Sequence, residues 1–429
     1  MPNKSVQPLP TTPEECRTRG WEEIDIVLVS GDAYVDHPSF GIALIGRLLE
    51  AQGYRVGILP QPRYDSEDDF RRFGRPRLFF GISGGNLDSI VANYSAAGKV
   101  RDFDAYSPGG SPWRSDARDK TNRYRPDRAV LIYANLAKRA FPQTPIILGG
   151  IESSLRRFVH FDYQQNRLRG SHLSDAKGTL LIYGMAERAV VEAAKLLDRN
   201  QPLKGVGGTC IRMNAAQMAG FTEDCLERQQ KMVILPGWDE IQSDLSQFMK
   251  AERIIDRLAR SRADRLLVQQ QQASWIVQYP PAKVLDPPEM DQLYQLGFSR
   301  RPHPSTPDVP AYKMIRNSVT IVRGCYGNCS FCAITRHQGP RITSRSIDSV
   351  VAEVKTLASS SGFDGTITDL GGPTANLFGT RCAIGSCPQH DCLYPEICKN
   401  LVFNEHLFLE LLTKVAALDR VNHLFISSG

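Results

Sequence analysis

Residues 24–29, Ile-Asp-Ile-Val-Leu-Val, form a short and nearly unbroken apolar run. Residues 41–52, Gly-Ile-Ala-Leu-Ile-Gly-Arg-Leu-Leu-Glu-Ala-Gln, space their apolar positions by three and four and stop at Gly53. The first pattern predicts a strand buried on both faces, the second a helix ended by glycine. The alternation continues, with strands predicted over residues 55–59, 77–82, 145–148 and 180–183 and helices over 88–97, 127–140 and 187–197. Short strands alternating with helices predict an α/β domain with a doubly wound, Rossmann-like parallel sheet. Residues 101–126, rich in Gly, Pro, Arg and Asp, interrupt it and read as a substrate-facing loop or a disordered segment.

Beyond this domain the period changes. Residues 239–260 predict one long amphipathic helix and residues 266–277 a pair of strands with four glutamines at a turn or edge. Pro280, Pro281, Pro287, Pro288, and the prolines from Pro302 to Pro310, predict a stiff, extended connector. A second β/α series follows: strands at 317–323, 365–370 and 421–426, with helices at 346–358 and 405–418. The expected domains are 1–238, 239–310 and 311–429.

A chain of 429 residues with 41% hydrophobic and 23% charged positions has ample material for two or three globular domains. Its net charge of +6 is mild, and without a recognisable binding motif nucleic acid is not indicated. Arg71-Arg72, Arg156-Arg157 and Arg300-Arg301 read as solvated faces. No apolar run reaches membrane-spanning length, so no membrane association is expected, and the polar first residues lack the apolar stretch of a signal peptide. Ten cysteines in such a chain point to reduced thiols and metal ligation in a cytoplasmic protein.

Three of those cysteines, Cys325, Cys329 and Cys332, stand in a C-x3-C-x2-C loop directly after the strand at 317–323. Three thiolates leave one corner of an iron–sulfur cube open for another ligand. Gly324 and Gly327 let backbone N–H groups turn toward an anionic cluster, and Arg323, Arg336 and Arg341 could add positive charge. Zinc is the competing metal, with His337 completing a Cys3His set, although zinc ligands usually come as two separated pairs. A second group, Cys382, Cys387, Cys392 and Cys398 with His390 among them, suggests an auxiliary iron–sulfur cluster or a structural zinc, against thiols that are packed singly or redox-active; its C-x4-C-x4-C-x5-C spacing matches neither the usual zinc knuckles nor the common ferredoxin runs. Gly81-Ile82-Ser83-Gly84-Gly85 fits the G-x-S-x-G elbow of serine hydrolases, but no pattern supplies its acid and histidine.

The strand, the Arg323-Gly324-Cys325 start, the triad spacing and Phe331 before its last cysteine resemble the radical S-adenosylmethionine (radical SAM) superfamily, and the whole chain resembles its YgiQ-type proteins. The resemblance implies a [4Fe–4S] cluster on Cys325, Cys329 and Cys332, with S-adenosyl-L-methionine chelated by the free iron. One-electron cleavage then gives a 5′-deoxyadenosyl radical that abstracts hydrogen from an unknown substrate. It further implies Phe331 beside the adenine and Gly371-Gly372 along the methionine moiety, with Pro373 where the family carries an acid. A one-electron reductant such as flavodoxin or ferredoxin is the implied partner. No catalytic acid or base is assigned. The expected architecture is a Rossmann-like, cobalamin-binding-like N-terminal domain followed by an incomplete radical SAM (β/α) partial barrel. Such cores have six β/α units and three are present here, so the chain is expected to be truncated and inactive as it stands. Cobalamin is open: base-off binding needs D-x-H-x-x-G, whereas Asp36 and His37 are adjacent, and a cofactor-free scaffold serves equally. The alternative from a different class is a non-catalytic zinc or Fe–S binding protein.

Overall fold

The computed structural model describes residues 6–260, 264–384 and 392–427. Its first part is built from β1 (Ile26–Ser30), β2 (Val56–Pro60), β3 (Phe79–Ser83), β4 (Ile146–Gly149), a side hairpin β5 (His160–Asp162) and β6 (Arg167–Arg169), β7 (Leu180–Ile182), β8 (Thr209–Met213), β9 (Met232–Ile234), β10 (Leu266–Gln271) and β11 (Ser274–Gln278). All but the hairpin join one sheet in the order β2-β1-β3-β4-β7-β8-β11-β10-β9. The first five are parallel, the doubly wound arrangement that the sequence predicts. Beyond β7 the sheet becomes mixed, because β8 runs antiparallel to both β7 and β11.

All five residues of β1 are buried, as a strand covered on both faces requires. The helix Gly41–Ala51 covers one face and approaches closely at Gly46, where a Cβ would stand 2.5 Å from Leu9 Cδ1. A side chain there would have to displace the Leu9 methyl.

The middle of the chain differs from its reading. The helix expected over 239–260 breaks into Trp238–Ser243 and Leu245–Arg260, with Asp244 extended between them. The strand pair β10–β11 extends the first sheet. Pro287 and Pro288 open a helix, Pro287–Tyr294, in which Asp286 caps the Glu289 N–H and Glu289 reaches back. Prolines in a first helical turn forfeit no hydrogen bond, so a pair expected to stiffen a connector starts a helix. Residues 101–126 are ordered and contain buried Asp104, Ser107, Arg123 and Arg125. Three arginines expected on solvated faces are drawn inward: Arg157 bonds Gln278, Arg156 pairs with Asp88, and Arg300 with Glu353, whereas Arg301 is exposed.

The second part holds β12 (Ser318–Thr320), β13 (Val322–Arg323), β14 (Thr343–Ser344), β15 (Thr366–Ile367), β16 (Asp369–Gly371), β17 (Arg381–Cys382), β18 (Leu401–Val402) and β19 (His423–Leu424). The pairs β12–β16 and β15–β19 are parallel. Helices Ile347–Ala358 and Glu405–Ala416 make the crossovers, capped by Ser346 and Asn404. Val319, Ile321, Val350, Val354, Leu370 and Leu411 form the core between them. Three strand positions joined by two helical crossovers result, as in one wall of a (β/α) barrel. Among the described residues no helix is long and apolar enough to cross a membrane.

Candidate metal centre

The triad loop leaves the sheet at Arg323. Gly324 turns it at φ +84°, and a Cβ there would lie 1.8 Å from the Arg341 carbonyl oxygen. Glycine is therefore required twice, for the left-handed backbone and for the close approach. A Cβ on Gly327 would stand 3.3 Å from Cys325 Sγ and 3.7 Å from Cys329 Sγ, so those two sulfurs flank the Gly327 backbone. The Gly327 N–H points at Cys325 Sγ at 3.3 Å, and the Ile334 N–H at Cys332 Sγ at 3.5 Å. The Cys332 N–H bonds the Cys329 carbonyl at 3.0 Å, closing the turn between the last two thiols.

Burial pushes the Cys325 thiol up, the Gly327 N–H opposes it, and negative charge on Cys332 and Cys329 adds to the rise. Like charges raising one another is what a cationic metal core reverses. Cys329 is exposed, and Phe331 is 90% exposed, on the open side of the loop. Among the described residues no three His, Cys, Asp or Glu groups draw together around a single metal ion.

Behind the triad the chain docks on the first sheet. The short helix Ile334–His337 places His337 Nδ1 3.2 Å from Ser154 Oγ, and its carbonyl lies against Gly184. Burial pushes His337 down to about 4, with Glu187 opposing and Arg323 adding to the fall. The imidazole proposed for a Cys3His zinc set is thus neutral and turned to Ser154. Arg323 pairs with Glu187 at 2.5 Å and donates to the Tyr294 hydroxyl at 2.9 Å; Arg336 pairs with Asp256 at 2.8 Å. Ser154, Gly184 and Glu187 lie just beyond the ends of β4 and β7, so the first sheet braces the base of the loop. Nothing local in the sequence marks Ser154; Gly184 and Glu187 stand in the turn Tyr183-Gly-Met-Ala-Glu187 directly after a predicted strand, and Arg323 is the visible end of the contact on the triad side.

Gly371 and Gly372 end the strand beside the triad's own. The Gly371 carbonyl accepts the Ile321 N–H at 2.8 Å, and a Cβ on Gly372 would lie 2.3 Å from the Val322 carbonyl oxygen. Their small size is used first for strand-to-strand contact, three residues before Cys325. Of the second cysteine group, Cys382, Cys392 and Cys398 pack with Cys325 around Tyr326, Leu377 and Leu401. Cys387 and His390 lie outside the described residues.

A 600 Å³ cavity runs between the two parts of the molecule, bordered by Tyr183, Glu187, Arg323, Tyr326, His337 and Cys392. A larger one, 1190 Å³, lined by Arg169, Asn214, Trp238 and Gln271, shares no residue with the triad loop and lies away from its chemistry. Ser83 Oγ accepts the Gly85 N–H at 3.2 Å, and a Cβ on Gly150 would meet it at 2.7 Å; neither contact supplies the histidine that a hydrolase triad needs.

Residues 8–318 match the radical SAM N-terminal family. A UPF0313 protein of Thermotoga neapolitana is 43% identical over 98% of this chain and 72% of its own length. One from Methanosarcina acetivorans is 42% identical over 98% of this chain and 58% of its own. Among solved structures, the radical S-adenosylmethionine methyltransferase TsrM from Kitasatospora setae, with tryptophan and a SAM analogue bound, aligns at TM-score 0.41 and 16% identity. That alignment covers 78% of this chain and 45% of TsrM. The chain belongs to the UPF0313 family of radical SAM proteins, and most of its length is their N-terminal domain.

Proposed function

We propose that Cys325, Cys329 and Cys332 hold a [4Fe–4S] cluster whose fourth iron binds S-adenosyl-L-methionine, and that the protein is a radical SAM enzyme. The observation that carries this reading is the loop itself: three thiols within eight residues at a strand end, two of them met by backbone N–H groups. When bound, the cluster supplies one electron that splits S-adenosylmethionine into methionine and a 5′-deoxyadenosyl radical able to take hydrogen from a substrate.

The chain's own residues do the rest. The N–H groups of Gly327 and Ile334 point at the Cys325 and Cys332 sulfurs, the orientation an anionic cluster would use. Exposure of Cys329 and Phe331 leaves the open side of the loop accessible to the methionine chelate and the adenine. Glu187 and Ser154 fix the opposite side through Arg323 and His337. Gly371-Gly372 supply backbone beside the methionine moiety, with Pro373 in place of an acid. The electron would come from a cytoplasmic donor such as flavodoxin or ferredoxin.

The test is anaerobic turnover. Reconstituted protein given dithionite and S-adenosylmethionine should release 5′-deoxyadenosine, and a Cys325→Ala variant should not. Colourless protein that carries only zinc, with no 5′-deoxyadenosine formed, would favour the non-catalytic alternative.

A further inference from the structure

The winding of the first sheet reverses between β1 and β3, and sheets of this order hold their cofactor there, outside the C-terminal strand ends. A corrin or flavin would enter between the loops that follow Ser30 and Ser83. Here those loops touch. A Cβ on Gly31 would lie 2.2 Å from the Gly84 carbonyl oxygen and 3.2 Å from Arg125 Cγ, and one on Gly85 would lie 2.2 Å from Asp32 Oδ1.

The chain's own insertion fills the remaining space. Arg125, with its side chain 1% exposed, pairs with Asp32 at 2.6 Å and Asp104 at 2.9 Å. Asp32 also accepts the Asn86 N–H at 2.6 Å, and Asp104 accepts the Ser107 hydroxyl at 2.6 Å. Gln61 donates to the Gly31 carbonyl and to Ser107, and the Ala33 N–H bonds the Tyr106 carbonyl. The histidine nearest a cobalt-binding register is also engaged: His37 is fully buried, its Nδ1 accepts the Ser39 N–H, and its Nε2 lies 3.0 Å from Arg300 Nη1. Among the described residues, Trp113 Nε1, Arg123 Nε and Arg125 Nε of the insertion and the Tyr133 hydroxyl are buried without a hydrogen-bond partner. Single buried waters satisfy groups of this kind. Neither cavity described above is lined by any residue of 31–37 or 83–88.

We infer that the N-terminal domain, although similar in strand order to cobalamin-binding domains, takes no corrin at its switch point, because Arg125 and the insertion occupy that place as a permanent plug. The inference goes beyond the proposed function, and its failure is separable from failure there. The test uses the full, anaerobically reconstituted chain, with iron and sulfide measured in parallel. Hydroxocobalamin is added, free corrin is removed by gel filtration, and corrin absorbance and the melting temperature are read. Protein-bound corrin at the level of a non-binding control, with an unchanged melting temperature, is expected whether or not iron is present. One corrin per chain with a raised melting temperature would overturn the inference. An Arg125→Ala chain should melt below its parent or fail to fold; equal stability would show that the arginine plugs nothing.

Discussion

Replacing Glu187 by glutamine tests the brace beneath the triad loop. Glu187 and Arg323 side chains are 6% and 14% exposed, and their ion pair closes at 2.5 Å across 136 residues of sequence. Removing one partner of a buried pair costs about 3–5 kcal/mol, because the other charge is left without compensation. Arg323 retains the Tyr294 hydroxyl, and its guanidinium lies 5.1 Å from that ring's centroid. A cation–π contact of this kind is worth about 1 kcal/mol, and the glutamine oxygen still accepts a hydrogen bond. The net loss should be about 2–3 kcal/mol after these offsets. At about 2–4 °C per kcal/mol for a large domain, the melting temperature should fall by roughly 5–10 °C. Differential scanning calorimetry reads the fall. Release of iron to a chelator reads its effect on the loop, and Glu187→Gln should lose iron faster than the parent. A variant with parental melting temperature and parental iron release would show that the first sheet does not position the triad.

Acid should weaken the fold in a defined window. Burial, then the charge of Arg156, pushes His160 down to about 4, and burial pushes His337 to about the same value. The unfolded chain takes up these protons near pH 6.5 and the folded one does not, so stability present above pH 6.5 drains as pH falls toward 4. The slope is at most about 1.4 kcal/mol per pH unit per histidine; denaturant midpoints that stay flat from pH 7 to 5 would exclude it. Cys329→Ser should abolish iron binding, whereas Cys392→Ser, in a group packed on Tyr326 and Leu401, should keep about four irons per chain. Equal loss in both would assign the second group to a metal. Gly324→Ala combines a left-handed backbone with a 1.8 Å contact. It should cost at least about 1–3 kcal/mol and lower iron loading; a variant that reconstitutes like the parent would contradict the loop geometry.

The parallel half of the sheet was legible because strands covered on both faces carry unbroken apolar runs, as in β1 and β3. In the mixed half the strand pair β10–β11 was legible, whereas β8 and β9 were not: β9 has three residues, and β8 carries an exposed Arg212 within Thr209–Met213. The break at Asp244 was hidden because apolar spacing continues across it, and only the backbone angles reveal it. Proline at 287 and 288 was read as a stiffener, when Asp286 and Glu289 form a capping box around it. Of the candidate site, the three thiols and the glycines were readable from local spacing. Ser154, Glu187 and Asp256 were not, since each meets its partner only through the docking of distant segments. The Gly- and Pro-rich insertion reads as a substrate-facing loop or a disordered segment, yet Arg125 makes part of it core.

The central claim is that the triad leaves one iron of a cube free for S-adenosylmethionine. Electron paramagnetic resonance of the reconstituted, dithionite-reduced chain, with and without S-adenosylmethionine, tests this most directly. A reduced [4Fe–4S] signal whose shape changes when S-adenosylmethionine is added is the predicted result. Iron-free protein with all three thiols intact, or a cluster signal indifferent to S-adenosylmethionine, would contradict it.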